Sequence, residues 1–451
     1  MTDYIWQADD FLWDIAIFFI VIFGIYATIR YKGLQITRLK HAVSLTLGDA
    51  KTKNKSGSIS SFEAFCISMG ARIGVGNIAG TASAIITGGP GAIFWMWIFA
   101  IIGSASSFVE TVIGQLYKEK KSDGECYGGP AYYASKGFHS RKAGIVVAFI
   151  IFIMFAVGFA GIECCNASDA LCNAFEFDNN ELVFALIITG LFAPIALGGA
   201  RRVAKVSAKI IPVMALGWIV FGLVVILVNF ANIPNAFGMI FYYAFNENAL
   251  IGGGIGSAIM MGMRRGVFSN EAGIGTVTGI SSTANVEHPA KQGYIQSFGV
   301  LVDTLIISTF SAIIILSFGD FASIHALPEF VREEGVGLLQ DVSVHAIGDV
   351  AKYLVAFFVF IFAFTCLVSD YLTSEINIRF IKDHKYCIWG LRIFLICMVF
   401  FACMAKTEEM FDLLDICMAV TGIVNIICIS LLAKQAKAVY DDYEKQRAAG
   451  V

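Results

Sequence analysis

Two glycine-rich stretches, MGARIGVGNIAGT at residues 69–81 and MGMRRGVFSNEAGIGT at residues 261–276, place polar groups inside apolar runs. Five residues of the first stretch recur in the second at a spacing of 192, and three more recur at a spacing of 193. Glycine disfavours an α-helix by about 1 kcal/mol relative to alanine, so both stretches predict a helix that unwinds near its middle. The half-helix after a break offers N–H groups to a carboxylate, and the half before it offers carbonyls to a cation or an ammonium group. The chemistry indicated is the binding of an ion and a zwitterion.

The composition sets the environment in which these breaks must form. Of the 451 residues, 57% are hydrophobic and only 15% are charged, with a mean hydropathy of +0.73. A soluble domain of this length is far more polar, so the chain is predicted to lie in the lipid bilayer. Its apolar runs are about 20 residues or longer, which is the length of a membrane-spanning helix rather than of a barrel strand. The predicted fold class is an all-α membrane protein.

The apolar runs predict eleven membrane-spanning helices. These helices lie near residues 8–30, 60–88, 91–116, 143–174, 180–199, 206–232, 250–284, 290–319, 346–380, 386–405 and 408–433. If the N-terminus is outside, most of the 32 Lys and Arg residues fall in connections on the inner side. The positive-inside rule therefore predicts an outer N-terminus, a cytoplasmic C-terminus and a multi-pass protein of the cell membrane. An apolar piece at 235–248 is too short to span, and we expect an outer gate or an interfacial helix there.

The two glycine-rich stretches fall in spans 2 and 7, five spans apart, so they must cross the membrane in opposite directions. This arrangement predicts an inverted repeat within one transporter domain, residues 1–451. The domain would comprise an extra helix at 8–30, a first five-helix repeat at 60–232 and a second, inverted repeat at 250–433. The alternative is that the glycines are close-packing positions between intact helices. Unwound backbone survives in a membrane only where protein or a ligand-filled cavity covers it, so a pair of breaks indicates a binding site.

A third motif resembles a known family. GGPGAIFWMWIFAIIG at residues 88–103 is similar to the signature of the alanine or glycine:cation symporters, as are FSNEAGIGT at 268–276 and GARIGVGNIAG at 70–80. The resemblance covers nearly the whole chain and places it in the amino acid-polyamine-cation superfamily. It implies the leucine-transporter fold, with a 5+5 inverted repeat and one added N-terminal helix. It also implies sodium-coupled symport of small neutral amino acids, such as alanine and glycine, by alternating access.

The same resemblance implies a set of site residues. The carbonyls of Gly70 and Ile73 and the hydroxyl of Thr365 would bind sodium. Amino acid substrate would lie against the two breaks, with its carboxylate on Val75, Gly76 and Asn77, its ammonium group on the Arg72 carbonyl, and Phe268, Ser269, Asn270 and Gly273 contributed by the second break. By the same resemblance, Cys366 would also lie at the sodium site. The family has a hydroxyl at this position, and a thiol is a poor ligand for a hard cation.

Two further departures from the family concern the substrate. Glu163 precedes CNAS at residues 165–168, where the family has Gln-Ala-Asn-Ser, and Asp370 stands where the family commonly has a tryptophan near the substrate. One alternative is that Asp370 and Glu163 pair with Arg264 or Arg265 and leave a small, neutral substrate. The other is that one carboxylate faces the cavity and awaits a larger or cationic amino acid such as lysine, with proton coupling as a variant of this alternative.

Other ionisable residues in the spans have structural interpretations. We expect Asp303 to hydrogen-bond within the bundle, and we expect Glu110, Asp412 and Asp415, near span ends, to be solvated. Arg72, Arg264 and Glu271 flank the breaks, where they would form gating pairs or bundle-stabilising pairs. The sequence carries no Ser-His-Asp grouping, HExxH or phosphate-binding loop, so we expect neither an enzyme nor a nucleic-acid partner. A channel is the remaining alternative, although a pore would more naturally use repeated rings. The oligomeric state is not predicted.

Overall fold

The computed structural model describes residues 2–50, 59–121, 125–175, 180–246, 254–318, 335–405 and 407–449. The regular secondary structure of the described part is helical apart from one hairpin. Its strands have two residues each, and β1 (Glu119–Lys120) pairs antiparallel with β2 (Cys126–Tyr127). The helices up to residue 245 are α1 Thr2–Arg30, α2 Leu34–Thr37, α3 Leu39–Ala50, α4 Ser61–Arg72, α5 Ala79–Gly88, α6 Ala92–Tyr117, α7 Pro130–Gly137, α8 Arg141–Ile153, α9 Ala160–Ala174, α10 Asn180–Gly198, α11 Ala200–Val228 and α12 Ile233–Phe245.

The remaining helices begin with the second glycine-rich stretch. They are α13 Gly254–Asn270, α14 Thr276–Ser282, α15 Pro289–Val302, α16 Thr309–Leu316, α17 Val336–Ile347, α18 Val350–Ile381, α19 Lys385–Ala402, α20 Thr407–Leu431 and α21 Ala433–Ala448. Two π-helical turns, Met154–Phe159 and Asp303–Ser308, join α8 to α9 and α15 to α16. Such turns add a residue to the helix and redirect the side chains beyond them.

The first glycine-rich stretch is a broken helix, as predicted. A capping box fixes where α4 begins, because the Ser60 hydroxyl accepts from the Glu63 N–H and the Glu63 carboxylate accepts from the Ser60 N–H. The helix ends at Arg72, and a 3₁₀ turn at Val75–Asn77 precedes α5. The break therefore lies at residues 73–78.

The second glycine-rich stretch is also broken, between α13 and α14. Its backbone enters the left-handed region at Glu271, Gly273 and Gly275, with φ angles of 55°, 87° and 84°. Glycine adopts such angles without strain, whereas the glutamate does not. The first half of each broken helix packs against the second half of the other, α4 against α14 and α13 against α5. The two broken helices therefore run antiparallel, which is the arrangement that an inverted repeat requires.

Nine helices of the described residues are long and apolar enough to span a membrane. The four half-helices of the broken pair have 12, 10, 17 and 7 residues, so each is too short to span alone. The nine continuous helices coincide with predicted spans. The total of eleven spans, the orientation and the division into repeats remain predictions.

The FWMW motif of residues 94–97 holds α12 against α6. The Trp95 indole N–H donates to the Ala244 carbonyl over 3.3 Å, and the Phe94 ring meets the Phe245 ring edge-on, with centroids 5.0 Å apart. Residues 235–245 of the short apolar piece expected at 235–248 thus belong to a helix, Ile233–Phe245, that is docked on α6. Its predicted role at an outer gate or interface remains untested.

Candidate functional site

The first break exposes backbone N–H groups, and side chains of the protein hold two of them. The Gly74 N–H donates to Asn77 Oδ1 over 3.0 Å, within the break itself. The Val75 N–H donates to Glu163 Oε2 on α9 over 3.3 Å. Glu163 therefore holds its carboxylate at the position where a substrate carboxylate was expected.

Asn77 connects the first break to the second. Its Nδ2 donates to Asp303 Oδ1 over 2.8 Å and lies 3.0 Å from the hydroxyl oxygens of Ser269 and Ser308. Ser269, on α13, in turn donates to Asp303 Oδ2 over 2.7 Å. One buried carboxylate thus contacts a residue of each broken helix, and the expectation that Asp303 hydrogen-bonds within the bundle is confirmed.

Arg72 makes a second connection between the broken helices. Its Nε donates to the carbonyl of Asn270, the last residue of α13, over 2.9 Å. Its two terminal nitrogens donate to Gln296 Oε1 over 2.9 Å and to Ser107 Oγ over 3.1 Å. The side chain is fully buried. The Arg72 carbonyl, which was predicted to bind the ammonium group of the substrate, accepts a hydrogen bond from the Gly74 N–H over 2.9 Å. Arg72 therefore ties the end of α13 to α4, α6 and α15.

Gly74 leaves space that two side chains fill. A Cβ at this position would lie 2.4 Å from Cys366 Sγ and 2.7 Å from Glu163 Oε1. Real Cβ atoms do not approach other atoms so closely, so any side chain here would displace both groups. The first break, α9 and α18 consequently meet at one point, with a thiol and a carboxylate against the unwound backbone.

The predicted sodium ligands are brought together only in part. Cys366 Sγ donates to the Gly70 carbonyl over 2.9 Å, but the Thr365 hydroxyl donates to the Phe362 carbonyl of its own helix over 3.0 Å and faces Met214. Ser369, which was not among the predicted ligands, donates to the carbonyl of Ile67 on α4 over 2.9 Å. Its position one helical turn after Thr365 could have indicated this.

The second break contributes unequally to the site. The Phe268 ring covers the first break, since a Cβ on Gly76 would lie 3.0 Å from two of its carbons. The Asn270 side chain donates to Thr304 Oγ1 over 3.0 Å and so stabilises the second break. Gly273 was predicted to face the substrate, but a Cβ there would meet Ile20 of α1, and its carbonyl accepts from Asn425 of α20 over 2.8 Å. The structure places Gly273 against α1 and α20.

Asp370 does not pair with the arginines of α13. Arg264 donates instead to Asp9 of α1 and, over 2.8 Å, to Asp415 of α20, and Arg265 Nη1 lies 3.8 Å from Asp415 Oδ2. The proposed pairing of Asp370 or Glu163 with these arginines is therefore wrong, because carboxylates from two other helices are closer to them.

Two acidic residues expected to be solvated are buried. Asp415 is 5% exposed and is paired with Arg264, whereas Glu110 is 1% exposed and accepts from Asn425 Nδ2 over 3.0 Å. Both expectations are wrong, because each carboxylate has a polar partner on a neighbouring helix that removes the need for water. The side chain of Asp412 lies outside the described residues.

These two antiparallel broken helices, joined by buried polar side chains inside an apolar bundle, define a secondary transporter of the leucine-transporter type. The chain belongs to the sodium:alanine symporter family, whose sequence profile matches residues 1–451. It is a multi-pass protein of the cell membrane. This family consists of transporters.

Known proteins similar to this chain support that assignment. The chain is 42% identical over 444 residues to the "Probable sodium/glutamine symporter GlnT" of Bacillus subtilis (strain 168), covering 98% of this chain and 91% of the relative. It is 40% identical to the "Amino-acid carrier protein AlsT" of the same organism, covering 98% and 92%. The solved structure of MhsT in complex with L-phenylalanine matches with a TM-score of 0.55 at 15% identity, covering 84% of this chain and 91% of that one. This last likeness shows the shared fold.

Proposed function

We propose that this protein uses the sodium gradient to carry neutral amino acids into the cell, with small ones such as alanine and glycine as the first candidates. The observation that carries the proposal is the meeting of two antiparallel broken helices at one buried point. There the unwound backbone presents N–H groups and carbonyls together, which suits both ends of a zwitterion. The named activities of the relatives GlnT and AlsT support the same class of substrate.

Sodium would bind where α4 meets α18. The carbonyls of Gly70 and Ile73 and the hydroxyl of Thr365 would supply oxygen ligands once the Thr365 side chain turns from Phe362 towards α4. Cys366 adjoins these atoms but offers sulfur, which sodium binds poorly. The hydroxyl of Ser369, one turn further along α18, donates to the Ile67 carbonyl of α4 and is a further oxygen at this junction.

The amino acid would bind at the first break with its carboxylate on the N–H groups of residues 75 and 76. To reach them, it must displace Glu163 Oε2 from the Val75 N–H. The Phe268 ring covers the break from the other side and would have to move for substrate to enter. Because Arg72 and Asp303 join both breaks, such a movement would be transmitted to the second broken helix.

Uptake by purified protein in liposomes tests this proposal. The vesicles should contain no sodium and the same concentration of alanine as the outside solution. They should accumulate labelled alanine when sodium chloride is added outside, and potassium chloride should give no accumulation. Empty liposomes provide the background. Uptake that ignores sodium but follows an imposed proton gradient would overturn the sodium coupling, and uptake that neither saturates nor follows any gradient would favour a channel.

A further inference from the structure

Asp370 carries a buried carboxylate oxygen that has no hydrogen-bond partner among the described residues. It lies on α18, is 2% exposed, and its Oδ2 is fully buried. Among the described residues Oδ2 has no hydrogen-bond partner, and the side chain takes part in no ion pair. A buried polar group without a partner costs free energy, and a buried charge costs much more. A ligand that enters the transporter could supply the partner that the described residues do not.

The ionisable groups that lie around Asp370 in the described part of the chain are acids. They are Glu163 on α9 and Glu271 at the second break, and Cys366 lies one turn away on its own helix. The Arg72 guanidinium is directed elsewhere, since it donates to Asn270, Gln296 and Ser107. Within the described part of the chain, no cation therefore forms an ion pair with Asp370.

The position of Asp370 relative to the first break sets what could reach it. Cys366 Sγ lies against the first break, because it is 2.4 Å from the position that a Cβ on Gly74 would take. Four residues along an α-helix correspond to about 6 Å, on nearly the same face. A substrate held by its main-chain groups at the break would thus need a side chain of three or four carbons to reach Asp370. Alanine and glycine are too short.

We propose that Asp370 is a specificity-determining residue that accepts a hydrogen bond from a terminal N–H group on the substrate side chain. This inference rests on the proposed function, in which the main-chain groups of the substrate bind at the first break. The preferred substrate is then an amino acid with a side-chain carboxamide or ammonium group. A carboxylate oxygen without a partner can only accept, and an N–H group supplies what it lacks. A site built to hydrogen-bond a substrate strongly disfavours an analogue of equal length that lacks the donor.

Competition for sodium-driven alanine uptake in proteoliposomes tests the inference. The unlabelled competitors are glutamine, lysine, glutamate and norleucine, which have similar lengths and end in a carboxamide, an ammonium group, a carboxylate and a methyl group. We expect glutamine or lysine to compete at a concentration about tenfold to a hundredfold below norleucine, and glutamate to compete poorly. Stronger competition by glutamine identifies the carboxamide as the donor, and stronger competition by lysine identifies the ammonium group.

Variants assign the effect to Asp370. Asp370→Ala, and Asp370→Leu as a second variant, leave no acceptor at this position and should remove about tenfold or more of the preference for the N–H competitor over norleucine. The preference is the ratio of the two competitor concentrations that halve the alanine uptake of each variant. Asp349→Ala removes a carboxylate in the same way at the exposed beginning of α18 and should leave that ratio unchanged. Equal competition by norleucine and the N–H compounds, or a preference that survives both substitutions, overturns the inference. Either result leaves the proposed function intact if sodium still drives alanine uptake, whereas a parent protein without sodium-driven uptake would contradict the proposed function itself.

Discussion

The Arg72 guanidinium donates to the carbonyl of Asn270 over 2.9 Å, so a side chain at the end of one half-helix closes the end of another. The last carbonyls of α13 have no partner within the helix, and they carry the negative end of its dipole. A cation at this point donates a hydrogen bond to one carbonyl and interacts favourably with the negative end of the dipole. One planar group thus closes the end of α13 and holds it against α4, beside the connection through Asn77 and Asp303.

Replacing Arg72 with lysine should destabilise the protein and abolish transport. One ammonium group cannot reach the three acceptors on Asn270, Gln296 and Ser107, and each acceptor left buried without a donor costs about 1–3 kcal/mol. The thermal unfolding midpoint in detergent measures the loss. Arg201→Lys, in the exposed ion pair with Glu125, serves as the matched control and should leave the midpoint unchanged. An unchanged midpoint for the Arg72 variant as well would contradict the role given to this side chain.

Asn77→Asp should abolish sodium-driven uptake, and the exchange Asn77→Asp with Asp303→Asn should restore part of it. The single change places a second carboxylate where Nδ2 now donates to Asp303 over 2.8 Å, and two adjacent buried carboxylates repel. The exchange again provides one amide and one carboxylate. Initial uptake rates of the two single variants and the exchange, at equal protein density, make the comparison. An exchange variant no better than Asn77→Asp would argue that the residues act separately.

Cys366→Ser should lower the sodium concentration that gives half-maximal uptake. A hydroxyl in place of the thiol at the Gly70 carbonyl adds an oxygen ligand, which sodium prefers to sulfur. A threefold to tenfold change, on the order of 1 kcal/mol, is the expected size for one added polar contact. Cys397→Ser, at an exposed position of α19, is the control. A sodium dependence identical to that of the parent would place the ion elsewhere.

Gly76→Leu should abolish uptake while leaving folded protein in detergent. A Cβ at this position already lies 3.0 Å from the Phe268 ring, so a branched side chain would fill the proposed binding point. Gly190→Leu makes the same change on α10, where a Cβ would meet nothing within 4 Å, and should transport normally. Normal uptake by the Gly76 variant would exclude the first break as the binding site.

The contact between α3 and α21 should weaken below about pH 6.5. His41 Nε2 lies 3.0 Å from the Tyr443 hydroxyl, and burial, followed by the neighbouring Arg447, lowers the pKa of the histidine from its ordinary value of 6.5. Arg38 and Lys291 act in the same direction, and the Glu444 carboxylate opposes them. Because the folded protein disfavours the charged ring, the stability that His41 contributes is present above pH 6.5. It is lost as the pH falls through the lowered pKa.

Thermal unfolding at pH 7.5 and pH 5.5 measures this effect. His41→Gln should lose less stability than the parent between the two values, and His345→Gln on α17 should lose as much as the parent. A parent and a His41 variant with equal losses would assign the pH dependence to other groups.

The sequence could predict the breaks because glycine acts locally, through the backbone of the residue itself. It could likewise indicate that Glu163 and Asp370 are unusual, since a carboxylate in an apolar run is costly wherever it lies. It could not predict that Arg264 pairs with Asp9 rather than Asp370. That choice depends on how α1 packs against α13 and α20, which a periodic apolar pattern leaves open. The orientation of the Thr365 hydroxyl is similarly set by packing, here against Met214 of α11.

The Asp303 carboxylate, which accepts from Asn77 of one broken helix and Ser269 of the other, makes cooperativity between the two ligands an expected property of the protein. Sodium at the Gly70 and Ile73 carbonyls and the amino acid at residues 75 and 76 would both act on the first break. Either ligand that shifts Asn77 alters the position available to Ser269, so each ligand changes the free energy of the arrangement that the other requires. Such linkage is reciprocal. If sodium tightens the binding of the amino acid by about tenfold, the amino acid must tighten the binding of sodium by the same factor, and neither ligand would then bind as tightly alone as in the presence of the other.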